Sequence, residues 1–92
     1  MEEKNLYARR VTISNSLGMH ARPAAKIAEI AGDAVHNVWI AREGSKADAQ
    51  SVIDILSLCI TAGTTVTVEI ENSNDKEILE KISALIESGF GE

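Results

Sequence analysis

Aromatic residues are scarce in this chain, which has one tyrosine, one tryptophan and one phenylalanine among 92 residues. Tyr7, Trp39 and Phe90 cannot build a core between them. Packing therefore falls to Ala, Val, Ile and Leu, which supply most of the 45% hydrophobic content. The single cysteine, Cys59, excludes an internal disulfide and points to a reducing compartment. No apolar run approaches the roughly 20 residues that a membrane-spanning helix needs. The amino-terminal run Met1-Glu2-Glu3-Lys4-Asn5 carries no signal-peptide pattern, so a cytoplasmic location with no membrane partner is expected. Nine basic residues against 14 acidic ones leave a net charge of −5. That balance opposes nucleic-acid binding, which requires a basic footprint. Residues 1–92 read as one domain, with no repeat, linker or low-complexity segment.

What is present alternates between two periods. Residues 7–14 end with Val11 and Ile13 on one face, the pattern of a half-buried strand. A helix follows through Ala24, Ala25, Ile27, Ala28 and Ala31, with the only proline, Pro23, in its first turn and a stop at Gly32. Residues 35–42 predict a second strand, with Val38 and Ile40 opposite Trp39. Glu43-Gly44 reads as a hairpin turn into a third strand from Ser45 to Ala49. Ser51 caps a short helix carrying Val52, Ile53, Ile55, Leu56 and Cys59, closed by Ala62-Gly63. Thr64 to Ile70 alternates with Val66, Val68 and Ile70 inward. Asn74 or Ser73 caps a last helix whose Ile78, Leu79, Ile82, Leu85 and Ile86 form one stripe, closed by Gly89. The order is β-α-β-β-α-β-α. It predicts an α+β fold in which three helices cover one face of a four-stranded antiparallel sheet. The other face, bearing Thr12, Trp39, Thr65 and Thr67, stays open to solvent.

The chemistry concentrates where the first strand hands over to the first helix, at Asn15-Ser16-Leu17-Gly18-Met19-His20-Ala21-Arg22-Pro23. A helix start leaves backbone N–H groups unpartnered and carries partial positive charge. An imidazole at that junction sits beside a ready anion site, and Arg22 adds a permanent forked cation. Neutral imidazole carries a free lone pair near pH 7 and needs no helper base to act as a covalent nucleophile. Phosphoryl transfer depends mainly on positioning and charge stabilisation, which this junction offers. The plain alternative is a solvated histidine capping a helix.

Gly18-Met19-His20-Ala21-Arg22-Pro23-Ala24 resembles the active-centre signature of HPr, the histidine-containing phosphocarrier family of the bacterial phosphoenolpyruvate-dependent sugar phosphotransferase system. Two further blocks match. Gly44-Ser45-Lys46-Ala47-Asp48-Ala49-Gln50-Ser51 resembles the family's regulatory-serine segment, and Gly63-Thr64-Thr65-Val66-Thr67-Val68 its last strand. The resemblance runs from about Val11 to Glu87 in order and spacing. It implies the HPr-like open-faced β-sandwich. It also implies that His20 accepts a phosphoryl group from phosphorylated Enzyme I, the phosphoenolpyruvate-protein phosphotransferase. His20 would then pass the group to a sugar-specific Enzyme IIA, as a covalent phosphohistidine carrier rather than a free-standing enzyme. The family attaches the phosphoryl group to Nδ1. Arg22 matches the phosphate-binding arginine. Ser51 matches the serine that an ATP-dependent enzyme, HPr kinase/phosphorylase, modifies in many lineages. No cofactor is implied.

A carrier needs a docking face. Ala21 and Ala25 on the first helix, with Val52, Ile53 and Leu56 on the short helix, are candidates for an apolar patch beside His20, with Lys26 and Lys46 near its edge. The chain departs from many family members at Glu29 and Asp54, which are acidic where basic residues are common. This departure introduces a second reading, a regulatory paralogue that signals carbon or nitrogen status by protein binding. A small RNA- or ligand-binding domain of the same architecture is a third reading, opposed by the net charge and the lone tryptophan. His36 reads as structural or solvated, and Cys59 as a buried small hydrophobe. Asp48, Asp54 and Glu43 lack metal-loop spacing, so no metal site is expected.

Overall fold

The computed structural model describes residues 7–92; the amino-terminal run Met1-Glu2-Glu3-Lys4-Asn5 lies outside them. Four strands form one antiparallel sheet: β1 (Ala8–Thr12), β2 (Val38–Arg42), β3 (Ser45–Asp48) and β4 (Thr65–Ile70), in spatial order β1-β4-β2-β3. The β2–β3 turn places Glu43 and Gly44 at φ 47° and 87°. Both angles are positive, as the favoured two-residue hairpin requires. Register follows the alternation: Val11 pairs with Val66, Ile40 with Val68, and Ile40 with Ala47 across the hairpin. These residues face inward together and are buried.

Three helices cover that inner face: α1 (Ala21–Ala31), α2 (Val52–Ser57) and α3 (Lys76–Glu87). In α1, Ala24, Ile27 and Ala31 are buried at helical spacing. In α3, Ile78, Leu79, Ile82 and Ile86 do the same, with Leu85 packed at the margin of the cluster. Each fully buried isoleucine or leucine contributes about 1.5–3 kcal/mol relative to exposure. The aliphatic layer between sheet and helices thus supplies the core that the few aromatics could not. Phe90 is the one aromatic inside it, 1% exposed.

Several boundaries differ from the sequence reading for identifiable reasons. β2 starts at Val38 rather than residue 35, because the backbone N–H groups of Val35 and His36 donate to the buried Asp75 carboxylate, each at 2.8 Å. Those donors are therefore unavailable to a strand ladder. Asp75 also places an oxygen 3.7 Å from His36 Nδ1, so His36 lies on an exposed loop outside the strand. The last helix is capped neither by Asn74 nor by Ser73. The Asn72 side chain accepts from Asn74 N at 2.8 Å, starting a single 3₁₀ turn (Ser73–Asp75) that leads into α3. Helix α2 stops at Ser57, well before Ala62-Gly63. Cys59 therefore falls beyond the helix, at φ 53°, and is exposed rather than buried. The Arg42 guanidinium donates to Leu58 O at 2.9 Å, satisfying a carbonyl at that helix end.

Candidate functional site

Ile13 N donates to Thr64 O at 2.8 Å and Gly63 N donates to Ile13 O at 2.7 Å, locking the end of β1 to the loop before β4. Gly18 then turns the chain at φ 68°, and a Cβ here would meet Ile60 O at 2.8 Å and Thr61 Cα at 2.9 Å. Only glycine fits this approach. The next residue, Met19, donates its N–H to Ile60 O at 2.9 Å and buries its side chain. His20 follows as the N-cap of α1 in extended conformation, with no side-chain cap bond. Its imidazole is thus free for other work.

The first turn of α1 holds backbone donors that the fold does not use. Ala24 N donates to His20 O at 3.0 Å, and Pro23 has no N–H to satisfy. That leaves the Ala21 and Arg22 backbone N–H groups without a partner among the described residues. No acidic residue lies in this turn to compete for them. The exposed Arg22 side chain makes no hydrogen bond or ion pair among the described residues. It sits where the helix dipole disfavours a cation. Leu17, His20, Ala21, Arg22 and Glu92 line one shallow, open depression.

Glu92 was not anticipated from the sequence. Beyond α3, Gly89, Phe90 and Gly91 take φ values of 72°, 61° and 75° and reverse the chain. Phe90 is a bulky residue in a left-handed conformation, at a cost of about 1–3 kcal/mol; its burial offsets this. Lys26 Nζ donates to Phe90 O at 2.7 Å and ties the turn to α1. The turn delivers Glu92 to the histidine, with Oε2 3.6 Å from His20 Nε2. Asn15, 6% exposed, donates from Nδ2 to Gly18 O at 2.8 Å and approaches Glu92 Oε1 at 3.5 Å. His20 Nε2 is buried at this edge without a hydrogen bond among the described residues, and Nδ1 is the ring nitrogen not closed off in this way. The visible signal was the Gly-Phe-Gly-Glu run, whose alternating glycines mark a sharp reversal after the helix.

Residues 7–88 match the family described as "PTS HPr component phosphorylation site". The chain belongs to the HPr phosphocarrier family. It is 39% identical over 84 residues to the phosphocarrier protein HPr of Cupriavidus necator, covering 91% of this chain and 94% of that protein. It is 42% identical over 85 residues to the phosphocarrier protein NPr of Proteus mirabilis, with the same two coverages. The HPr crystal structure from Thermoanaerobacter tengcongensis superposes with a TM-score of 0.86 at 33% identity, over 92% of this chain and 96% of that one. The open-faced sandwich of this HPr-family chain is the fold of that HPr structure.

The predicted docking residues divide. Ala21 and Ala25 are exposed on α1, and Ile53 is 75% exposed on α2. Val52 and Leu56 lean instead into the core margin. Helix α2 packs on α1, yet no α2 side chain lines the depression at His20. Lys46 is not at the edge of this patch. It projects from the open sheet face, paired with Glu69 at 2.9 Å and 6.0 Å from the Trp39 ring centroid. Ser51 caps α2 as expected, accepting from Asp54 N at 3.1 Å. Among the described residues no helix is long and apolar enough to cross a membrane.

Proposed function

We propose that this HPr-family chain carries a phosphoryl group on His20, taken from phosphorylated Enzyme I and handed to an Enzyme IIA domain of a sugar phosphotransferase system. The observation that carries this reading is the His20 junction. One ring nitrogen is buried and the other is not, beside two backbone N–H groups with no partner among the described residues. The second nitrogen, Nδ1, attacks phosphorus while the bond to the donor breaks. The negative oxygens of the arriving group meet the Ala21 and Arg22 N–H groups and the Arg22 guanidinium. The depression is shallow and open to solvent. Its contacts are enough to steady the group, and release to the next protein stays easy. Docking engages Ala21, Ala25 and Ile53. Ser51, half-buried at the start of α2, is the point where a serine kinase would add a charge beside that face and repel an acidic partner.

The purified chain, given phosphoenolpyruvate and Enzyme I, is expected to take up one acid-labile, alkali-stable phosphoryl group. Normal labelling of His20→Ala would refute the assignment.

A second reading is favoured by exposed, acidic Glu29 and Asp54 and by the likeness to a protein named NPr. In it, the chain is a regulatory member of the family that acts mainly by protein binding. Complementation of sugar uptake in a carrier-deficient strain separates the two. Full uptake supports the sugar carrier, and phosphorylation without uptake supports the regulator.

A further inference from the structure

Three groups that lie far apart in sequence meet on the buried edge of the His20 ring. Glu92 Oε2 stands 3.6 Å from Nε2, and Glu92 Oε1 stands 3.5 Å from Asn15 Nδ2. Asn15 Nδ2 also donates to Gly18 O at 2.8 Å. The amide nitrogen thus spends both hydrogens on acceptors, a carbonyl and a carboxylate, while its own buried Oδ1 has no partner among the described residues. Turning the amide over would place that oxygen against two other oxygens. Asn15 is therefore locked as a donor toward Glu92, and Glu92 is presented to His20 as an acceptor. The Lys26 bond to Phe90 O and the burial of Phe90 hold the turn that makes this possible.

We infer that Glu92 is a positioning residue for phosphoryl transfer, seated by Asn15, that keeps the His20 proton on Nε2 so that Nδ1 presents its lone pair. The inference rests on the carrier reading above and adds how the nucleophilic nitrogen is selected. In the transfer step the Nδ1 lone pair forms the new bond to phosphorus. The bond from phosphorus to the donor breaks, and its electron pair leaves with the donor. No proton moves: Nε2 keeps its hydrogen, the ring becomes cationic, and the Glu92 carboxylate faces that cation. A carboxylate behind a catalytic imidazole plays the same part in serine hydrolases, orienting the ring and stabilising its charged form. Here both side chains remain partly exposed, at 35% and 28%. The expected contribution is correspondingly modest, about tenfold in rate.

The test compares Glu92→Gln with Glu92→Ala. In Glu92→Gln, Asn15 still donates and so captures the new amide oxygen, turning the amide N–H₂ toward Nε2. That favours the tautomer with hydrogen on Nδ1 and blocks the nucleophile. In Glu92→Ala nothing faces Nε2 and water takes the place of the carboxylate. The expected order of transfer rate from phosphorylated Enzyme I is wild type, then Glu92→Ala, then Glu92→Gln about tenfold below wild type, with KM for the donor within twofold. Nitrogen-15 NMR of the unphosphorylated chain is expected to show the proton on Nε2 in wild type and a shift toward Nδ1 in Glu92→Gln. Equal rates in all three proteins would overturn the inference, as would an unchanged tautomer or a change confined to KM. If wild type took up no phosphoryl group, the carrier reading would fall, while the NMR comparison would still decide the role of Glu92.

Discussion

Replacing Gly18 by alanine tests the link between backbone packing and the site. The residue sits at φ 68°, and a Cβ there meets Ile60 O at 2.8 Å, Thr61 Cα at 2.9 Å and Ala62 N at 3.0 Å. The left-handed conformation costs an alanine about 1–2 kcal/mol. The contacts are with backbone, which cannot rotate away, and overpacking of this kind adds about 1–3 kcal/mol. The sum centres near about 3 kcal/mol, or about 12–24 °C in Tm for a chain of this size. Gly63 is the control. Its φ is 90°, but a Cβ meets nothing within 4 Å, so Gly63→Ala bears only the conformational cost. Urea unfolding of both variants, with unchanged m-values, isolates the packing contribution. If Gly18→Ala proved no more than about 0.5 kcal/mol worse than Gly63→Ala, within ordinary additivity error, the close approach would not be what requires glycine. Relief of the clash would also push on the Met19 N–H to Ile60 O bond that precedes His20. Slower phosphoryl uptake by the folded fraction is therefore expected alongside the stability loss.

Arg22→Ala is expected to slow phosphoryl uptake about 10–100-fold while leaving thermal stability equal or slightly higher. Arg22 has no partner among the described residues and opposes the helix dipole. A drop in Tm of several degrees would contradict this. Asp75→Ala leaves the Val35 and His36 N–H groups without their acceptor. Chemical denaturation should show a loss of about 2–4 kcal/mol, and a loss under 1 kcal/mol would mean that water replaces the carboxylate. Ser51→Ala removes the α2 cap at about 1 kcal/mol, and Ser51→Asp, which also caps, should recover most of it.

Much of this molecule was legible before its structure. The alternation of Val66, Val68 and Ile70, the stripe of Ile78, Leu79, Ile82 and Ile86, and the Glu43-Gly44 turn are local patterns, and local sterics and periodicity decide them. The placement of His20 and Arg22 at the start of α1 was legible because Gly18 and Pro23 mark that helix start within a few residues. The errors cluster where a distant group competes for the backbone. Residues 35–37 have strand-like composition, yet the carboxylate of Asp75, about 40 positions away, takes the Val35 and His36 donors. Cys59 follows an apolar periodic run, yet α2 ends early and leaves it exposed.

By itself, the sequence determined the order of elements, the inward and outward faces of β1, β2 and β4, the aliphatic core and the identity of the histidine at the helix start. Only the tertiary structure decided what stands behind that histidine. Glu92 and Asn15 reach it because α3 runs back across the sheet and three consecutive positive φ angles turn the chain toward α1. A pattern with a period of two or 3.6 residues reports neighbours on one element. It carries no information about a contact spanning 77 positions of sequence, which exists only once the core has brought the two ends of the fold together.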